Sequence, residues 1–75
     1  MALVLYGRGD CPLCRHAEEA LRHANVAAEP IDIDSDATLE LRYGTRIPVL
    51  RNEENGTELD WPFDAYAIRK FCADA

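Results

Sequence analysis

The chain has 75 residues, 48% hydrophobic and 29% charged, with 14 acidic side chains against 8 basic ones and a net charge of −6. A chain this short forms one small domain with a thin core, so a single domain over residues 1–75 is expected. The acidic balance argues against a nucleic-acid binder, which needs a basic surface to displace counterions from phosphates, and equally against an anionic membrane partner. No apolar run approaches the roughly 18 residues of a membrane span. No signal peptide is evident, and three cysteines do not suit a secreted disulfide scaffold, so the cytoplasm is the expected location.

Residues 2–6 (Ala-Leu-Val-Leu-Tyr) are wholly apolar and closed by Gly7, the pattern of a short buried strand. The turn Arg8-Gly9-Asp10 leads into Cys11-Pro12-Leu13-Cys14. Pro12 suits the first position of a helix, where its missing N–H costs nothing. Cys14, Ala17, Leu21 and Ala24 then form one helical stripe. Glu18/Arg22 and Glu19/His23 stand four apart in the favourable order, and Asn25 marks the end. Residues 28–34 alternate around Ile31 and Ile33 as a second strand, which Pro30 assigns to an edge. Ser35 or Asp36 caps a short helix that runs to about Tyr43 and stops at Gly44. Residues 47–50 read as a third strand, and Asn55-Gly56 as a two-residue hairpin turn pairing residues 57–59 with 48–51. A last helix is expected from about Pro62, with Phe63, Ala67 and Phe71 on one stripe and Arg69 and Lys70 near its end. The order is β-α-β-α-β-β-α. With its first two strands parallel through a right-handed crossover, it predicts an α/β fold with a mixed four-stranded sheet and three flanking helices.

Cys11 and Cys14 carry the chemistry. In a cytosolic protein beside a βαβ pattern, Cys-x-x-Cys reads as a dithiol redox pair. Cys11 stands at a helix N-terminus, where unpaired N–H groups and the macrodipole favour an anion. Thiols so placed have pKa values lowered from ~8.5 into the range ~3.5–7.5. Asp10 opposes that shift, whereas Arg8 and Arg15 support it. Cys11 would attack a substrate sulfur, and Cys14, one turn on and pointing inward, would resolve the mixed disulfide.

Rival readings stand beside this one. The two cysteines could be small buried hydrophobes, or zinc ligands together with His16, His23 or Cys72, although no second ligand pair completes a closed site. Pro48, at the start of a strand, is either an ordinary edge proline or a cis-proline that exposes the Ile47 backbone to a ligand. Arg8-Gly9-Asp10 matches an integrin-recognition tripeptide and is expected to be incidental. Cys72 is expected in the core and both histidines in solvent. Trp61 either lines a site or covers the core. Glu53, Glu54, Glu58, Asp60 and Asp64 are expected to form a solvated face.

A strand, Cys11-Pro12-Leu13-Cys14 and Ile47-Pro48-Val49, in that order, resemble the thioredoxin superfamily. Asp32-Ile33-Asp34, Tyr43-Gly44-x-x-Ile47-Pro48-Val49 and Glu58-Leu59-Asp60-Trp61-Pro62-Phe63 are similar to the small bacterial glutaredoxin-like domain family, over nearly the whole chain. The resemblance implies a thioredoxin-like fold, a cis Pro48, Cys11 as nucleophile and Cys14 as resolving thiol. It further implies a substrate site lined by Arg8, Pro12, Leu13, Ile47, Pro48 and Trp61. The chain departs from glutaredoxins at Leu13, where an aromatic residue is usual, and at Arg46-Ile47-Pro48 in place of Thr-Val-Pro. It departs again at Arg8 in place of Lys, and at Asp60-Trp61-Pro62 near the position of a Gly-Gly pair. The implied function is a thiol–disulfide oxidoreductase exchanging with glutathione or a protein disulfide. It would work as a monomer without a cofactor. The alternatives are a thioredoxin-fold binding module with a vestigial or regulatory cysteine pair, and a Cys-ligated metal carrier.

Overall fold

In the computed structural model, which describes residues 2–74, the chain forms β1 (Leu3–Gly7), α1 (Pro12–Ala24), β2 (Glu29–Asp32), α2 (Ala37–Tyr43), β3 (Val49–Asn52), β4 (Glu58–Asp60) and α3 (Ala65–Ala73). One turn of 3₁₀ helix over Ile33–Ser35 joins β2 to α2. The sheet runs β2-β1-β3-β4, with β1 parallel to β2 and antiparallel to β3, and β3 antiparallel to β4. Element order and mixed sheet are those the sequence predicts. β1 is central, and all five of its residues are buried, which is why its apolar run does not alternate. Leu3 and Leu5 face α1 and α3 in one cluster with Ala17, Leu21, Leu50 and Ile68. Val4 and Tyr6 face the other way and pack with Ile33, Tyr43 and Val49.

Caps explain where the helices begin and end. The Cys11 sulfur accepts from the Cys14 N–H at 3.3 Å, and Pro12 is the first helical residue. At the far end of α1, Asn25 adopts a left-handed conformation (φ 58°), so that the Asn25 and Val26 N–H groups close onto Arg22 and Leu21. The Asp36 carboxylate accepts from the Thr38 N–H at 2.8 Å and starts α2. Ser35 donates instead to the Asp32 carbonyl.

Four local expectations are corrected. β2 stops at Asp32, not 34, because the Asp32 side chain accepts from the Asp34 N–H and turns the chain into the 3₁₀ segment, where Ile33 stays buried. β3 starts at Val49, not 47, because the Ile47 N–H closes onto the Tyr43 carbonyl at 3.1 Å and Pro48 has no N–H to offer the ladder. The β3–β4 connection spans residues 53–57 instead of forming a two-residue turn. Gly56 alone is left-handed there (φ 75°), while the Asn52 and Asn55 side chains accept from the Glu54 and Thr57 N–H groups. α3 begins at Ala65, since the Asp64 carboxylate accepts from the Ala67 N–H and so sets the cap beyond Pro62. Gly44 does end α2, but with φ −53°. Its smallness serves space: a Cβ there would lie 2.5 Å from the Glu40 carbonyl oxygen.

Candidate active site

Strand register assembles one end of the sheet. Tyr6 pairs with Val49, which sets Pro48 beside Gly7. Gly7 pairs with Asp32 on its other side, and Val49 pairs with Asp60, just before Trp61. The loop from Gly7 to α1 leaves from this end and carries Cys11. The Ile47–Pro48 peptide bond is cis, as the resemblance implied. Trp61–Pro62 is cis as well, which the sequence reading did not anticipate.

The two thiols sit in different surroundings. Cys11 is half-buried at the helix start with the Cys14 N–H aimed at its sulfur, the geometry by which helix N-termini receive anions. Cys14 is buried, and burial pushes its thiol up to about 11, helped by the hydrogen bond with Cys11 and the nearby Glu18 charge. At neutral pH Cys14 therefore holds its proton. Its neighbour is Gly7: a Cβ built on Gly7 would lie 2.8 Å from the Cys14 sulfur and 3.3 Å from its Cβ. Only glycine lets that thiol rest against the end of β1. The sequence reading missed this role, and its one trace was a glycine closing the apolar run.

The remaining expected residues divide into two groups. Pro12 and Leu13 are exposed on the first turn of α1 beside Cys11, Ile47 is half-buried and Pro48 is fully buried. Arg8 is already engaged: its guanidinium pairs with Asp34 at 2.9 Å and donates to the Gly44 carbonyl at 3.5 Å. That pairing also takes Arg8 out of the Arg8-Gly9-Asp10 tripeptide as a free cation. Trp61 covers the core, packing against the α1/α3 cluster and meeting Phe63 edge-on at 5.1 Å between ring centres. Cys72 is half-buried against the same cluster, and both histidines are exposed.

Of the acidic residues between 53 and 64, Glu53, Glu54, Asp60 and Asp64 are exposed as the sequence predicts, whereas Glu58 is half-buried. Glu58 accepts from the Tyr43 hydroxyl (2.7 Å), Arg46 (2.7 Å) and Arg51 (2.8 Å). Burial acts to raise its carboxyl, but these three hydrogen bonds and the Arg46 charge outweigh it and hold Glu58 at about 2. Asp60 joins the same Arg46 at 2.8 Å, and Asp64 caps α3. Among the described residues, no three His, Cys, Asp or Glu side chains converge as a metal site. None of the described helices is long and apolar enough to cross a membrane.

A Cys-x-x-Cys pair at a helix start, beside a mixed four-stranded sheet whose third strand follows a cis-proline, defines a thioredoxin-like domain. Residues 2–72 match the glutaredoxin-like domain (DUF836), and the chain belongs to that family. Among solved structures it is similar to the X-ray structure of target protein XcR50 from X. campestris, at 52% identity and a TM-score of 0.90, over 99% of both chains. Protein Ne2328 from Nitrosomonas europaea is 32% identical, with a TM-score of 0.79, over 93% of this chain and 88% of that one. The thioredoxin-like protein BC3987 is 26% identical, with a TM-score of 0.65, over 91% of this chain and 96% of that one. No curated protein matches the chain.

Proposed function

We propose that this domain is a thiol–disulfide oxidoreductase in which Cys11 attacks and Cys14 resolves. The observation that carries the reading is the asymmetry of the pair: a half-buried sulfur under a helix-start N–H, next to a buried thiol that keeps its proton. The reduced pair begins with the Cys11 thiolate attacking one sulfur of a substrate disulfide, forming a Cys11–substrate bond and releasing the other sulfur as a thiolate. Cys14 then gives up its proton and attacks the Cys11 sulfur. The Cys11–Cys14 bond forms, and the second substrate sulfur leaves as a thiol. Two electrons pass from the pair to the substrate, so the reaction needs no bound cofactor. Pro12, Leu13 and Ile47 ahead of Pro48 would flank the incoming disulfide, glutathione or protein, in a cytoplasmic monomer.

The test is alkylation and mass spectrometry of the Cys11–Cys14 pair across a graded glutathione buffer. A two-thiol transition between roughly −300 and −150 mV is expected, with Cys14→Ser accumulating a mixed disulfide through Cys11. Reduction of a disulfide substrate by Cys11→Ser at the normal rate would overturn the mechanism.

A further inference from the structure

We propose that the groove between α1 and β2 is a substrate subsite for the basic side chain, lysine or arginine, of a polypeptide whose cysteine exchanges with Cys11. The inference rests on the exchange reading above and names its substrate class. The groove holds about 220 Å³ and borders the site directly, for both Gly9 and Cys14, which bracket Cys11 in the chain, line it. Its apolar lining comes from Leu5, Pro30 and Ile31, while Glu18 and Asp32 supply carboxylates. Among the described residues neither carboxylate has an ion-pair partner, although one Asp32 oxygen accepts from the Asp34 N–H at 2.9 Å. The one basic group lining the groove, Arg8, is neutralised by Asp34 at 2.9 Å and also lies in the field of Glu40 and Asp10. An apolar floor with unpaired carboxylates suits a side chain with a hydrocarbon stem and a cationic head. Glutathione, with two carboxylates against one ammonium, is a net anion and is the weaker electrostatic match to the same negative groups.

The groove also touches the chemistry. Burial and the Glu18 charge both help keep Cys14 protonated. A cation seated beside Glu18 offsets that charge and favours the Cys14 thiolate, so the matching substrate speeds its own release. In that step the Cys14 proton passes through solvent to the departing substrate sulfur. The Cys11–Cys14 bond forms as the Cys11–substrate bond breaks.

Three peptide disulfides that differ only in a Lys, Ala or Glu beside the cysteine test the subsite, in single turnovers with the fully reduced protein. The Lys peptide is expected to exchange about two- to fivefold faster than the Ala peptide, the range of one favourable exposed ion pair, and the Glu peptide slower still. Glu18→Gln/Asp32→Asn should flatten the series and Glu18→Lys/Asp32→Lys should invert it. Equal rates for all three peptides, or an order that survives the charge inversion, overturn the subsite and leave the oxidoreductase reading standing. Should no peptide exchange, that reading falls by itself. Equilibrium binding of the S-methylated peptides to Cys11→Ser then reads the groove alone, where the same order supports the subsite and equal affinities overturn it.

Discussion

The two faces of the sheet are built on different principles. Towards α1 and α3 the packed cluster is apolar, with Ala17, Leu50 and Ile68 fully out of solvent and Asn52, the partner of Leu3, as a buried polar side chain at its margin. Towards α2 the sheet is covered by a seven-residue helix and the 3₁₀ turn that buries Ile33. There the Tyr6 and Tyr43 rings stack at 4.3 Å, and their hydroxyls donate to Glu53 and Glu58. Arg46 lies 5.3 Å from the Tyr43 ring centre while pairing with both Glu58 and Asp60. The first face stabilises by burial. The second uses charge to tie Arg46, the residue preceding Ile47-Pro48, onto β4, so it anchors the loop that leads into β3.

The sharpest way to break this contrast is to empty the apolar face. Ile68→Ala should lower unfolding stability by about 2–5 kcal/mol in urea titrations, the usual cost of such a truncation in a packed core. A loss below about 1 kcal/mol would mean that this face is not the main source of stability. On the other face, Glu58→Gln should cost about 1–3 kcal/mol through its weakened hydrogen bonds from charged donors. Its pH signature is more diagnostic. A carboxyl lowered from 4.5 to about 2 on folding contributes stability that is complete above the ordinary carboxylate range and is lost as pH falls through about 2. The wild-type protein should therefore lose stability across that acid window, and Glu58→Gln should lose correspondingly less. Parallel acid limbs for the two proteins would contradict the clamp. The smallest effect belongs outside both faces: Leu41→Ser, at a side chain 90% exposed, should stay within about 0.5 kcal/mol of wild type.

What was legible in the sequence was what depends on near neighbours. The α1 stripe, its proline start, its Asn25 stop and the Cys11–Cys14 spacing all lie within fifteen residues, and each recurs in the structure. The hairpin was misjudged in length because Asn52 and Asn55 each spend a side chain on a local turn. Such hydrogen bonding competes with the tight turn that Asn-Gly advertises. The start of α3 depended on whether Pro62 or Asp64 supplied the boundary, and the capping carboxylate prevailed. The Glu58 cluster was illegible because Tyr43, Arg46 and Arg51 reach it across β3 and the loop before it. The Gly7–Cys14 contact joins a strand end to a helix turn, a closeness that no spacing rule reveals.

The outer strands have a consequence for the molecule in company. β2 and β4 leave both margins of the sheet open, yet each is a poor template for another chain. β2 has four residues, with Pro30 lacking a donor between the carboxylates of Glu29 and Asp32. β4 has three residues, two of them acidic. Proline, short length and like charge are the devices that discourage strand-by-strand growth into fibrils. With a net charge of −6 acting between copies, this small sheet can stay open at both sides and still resist polymerising.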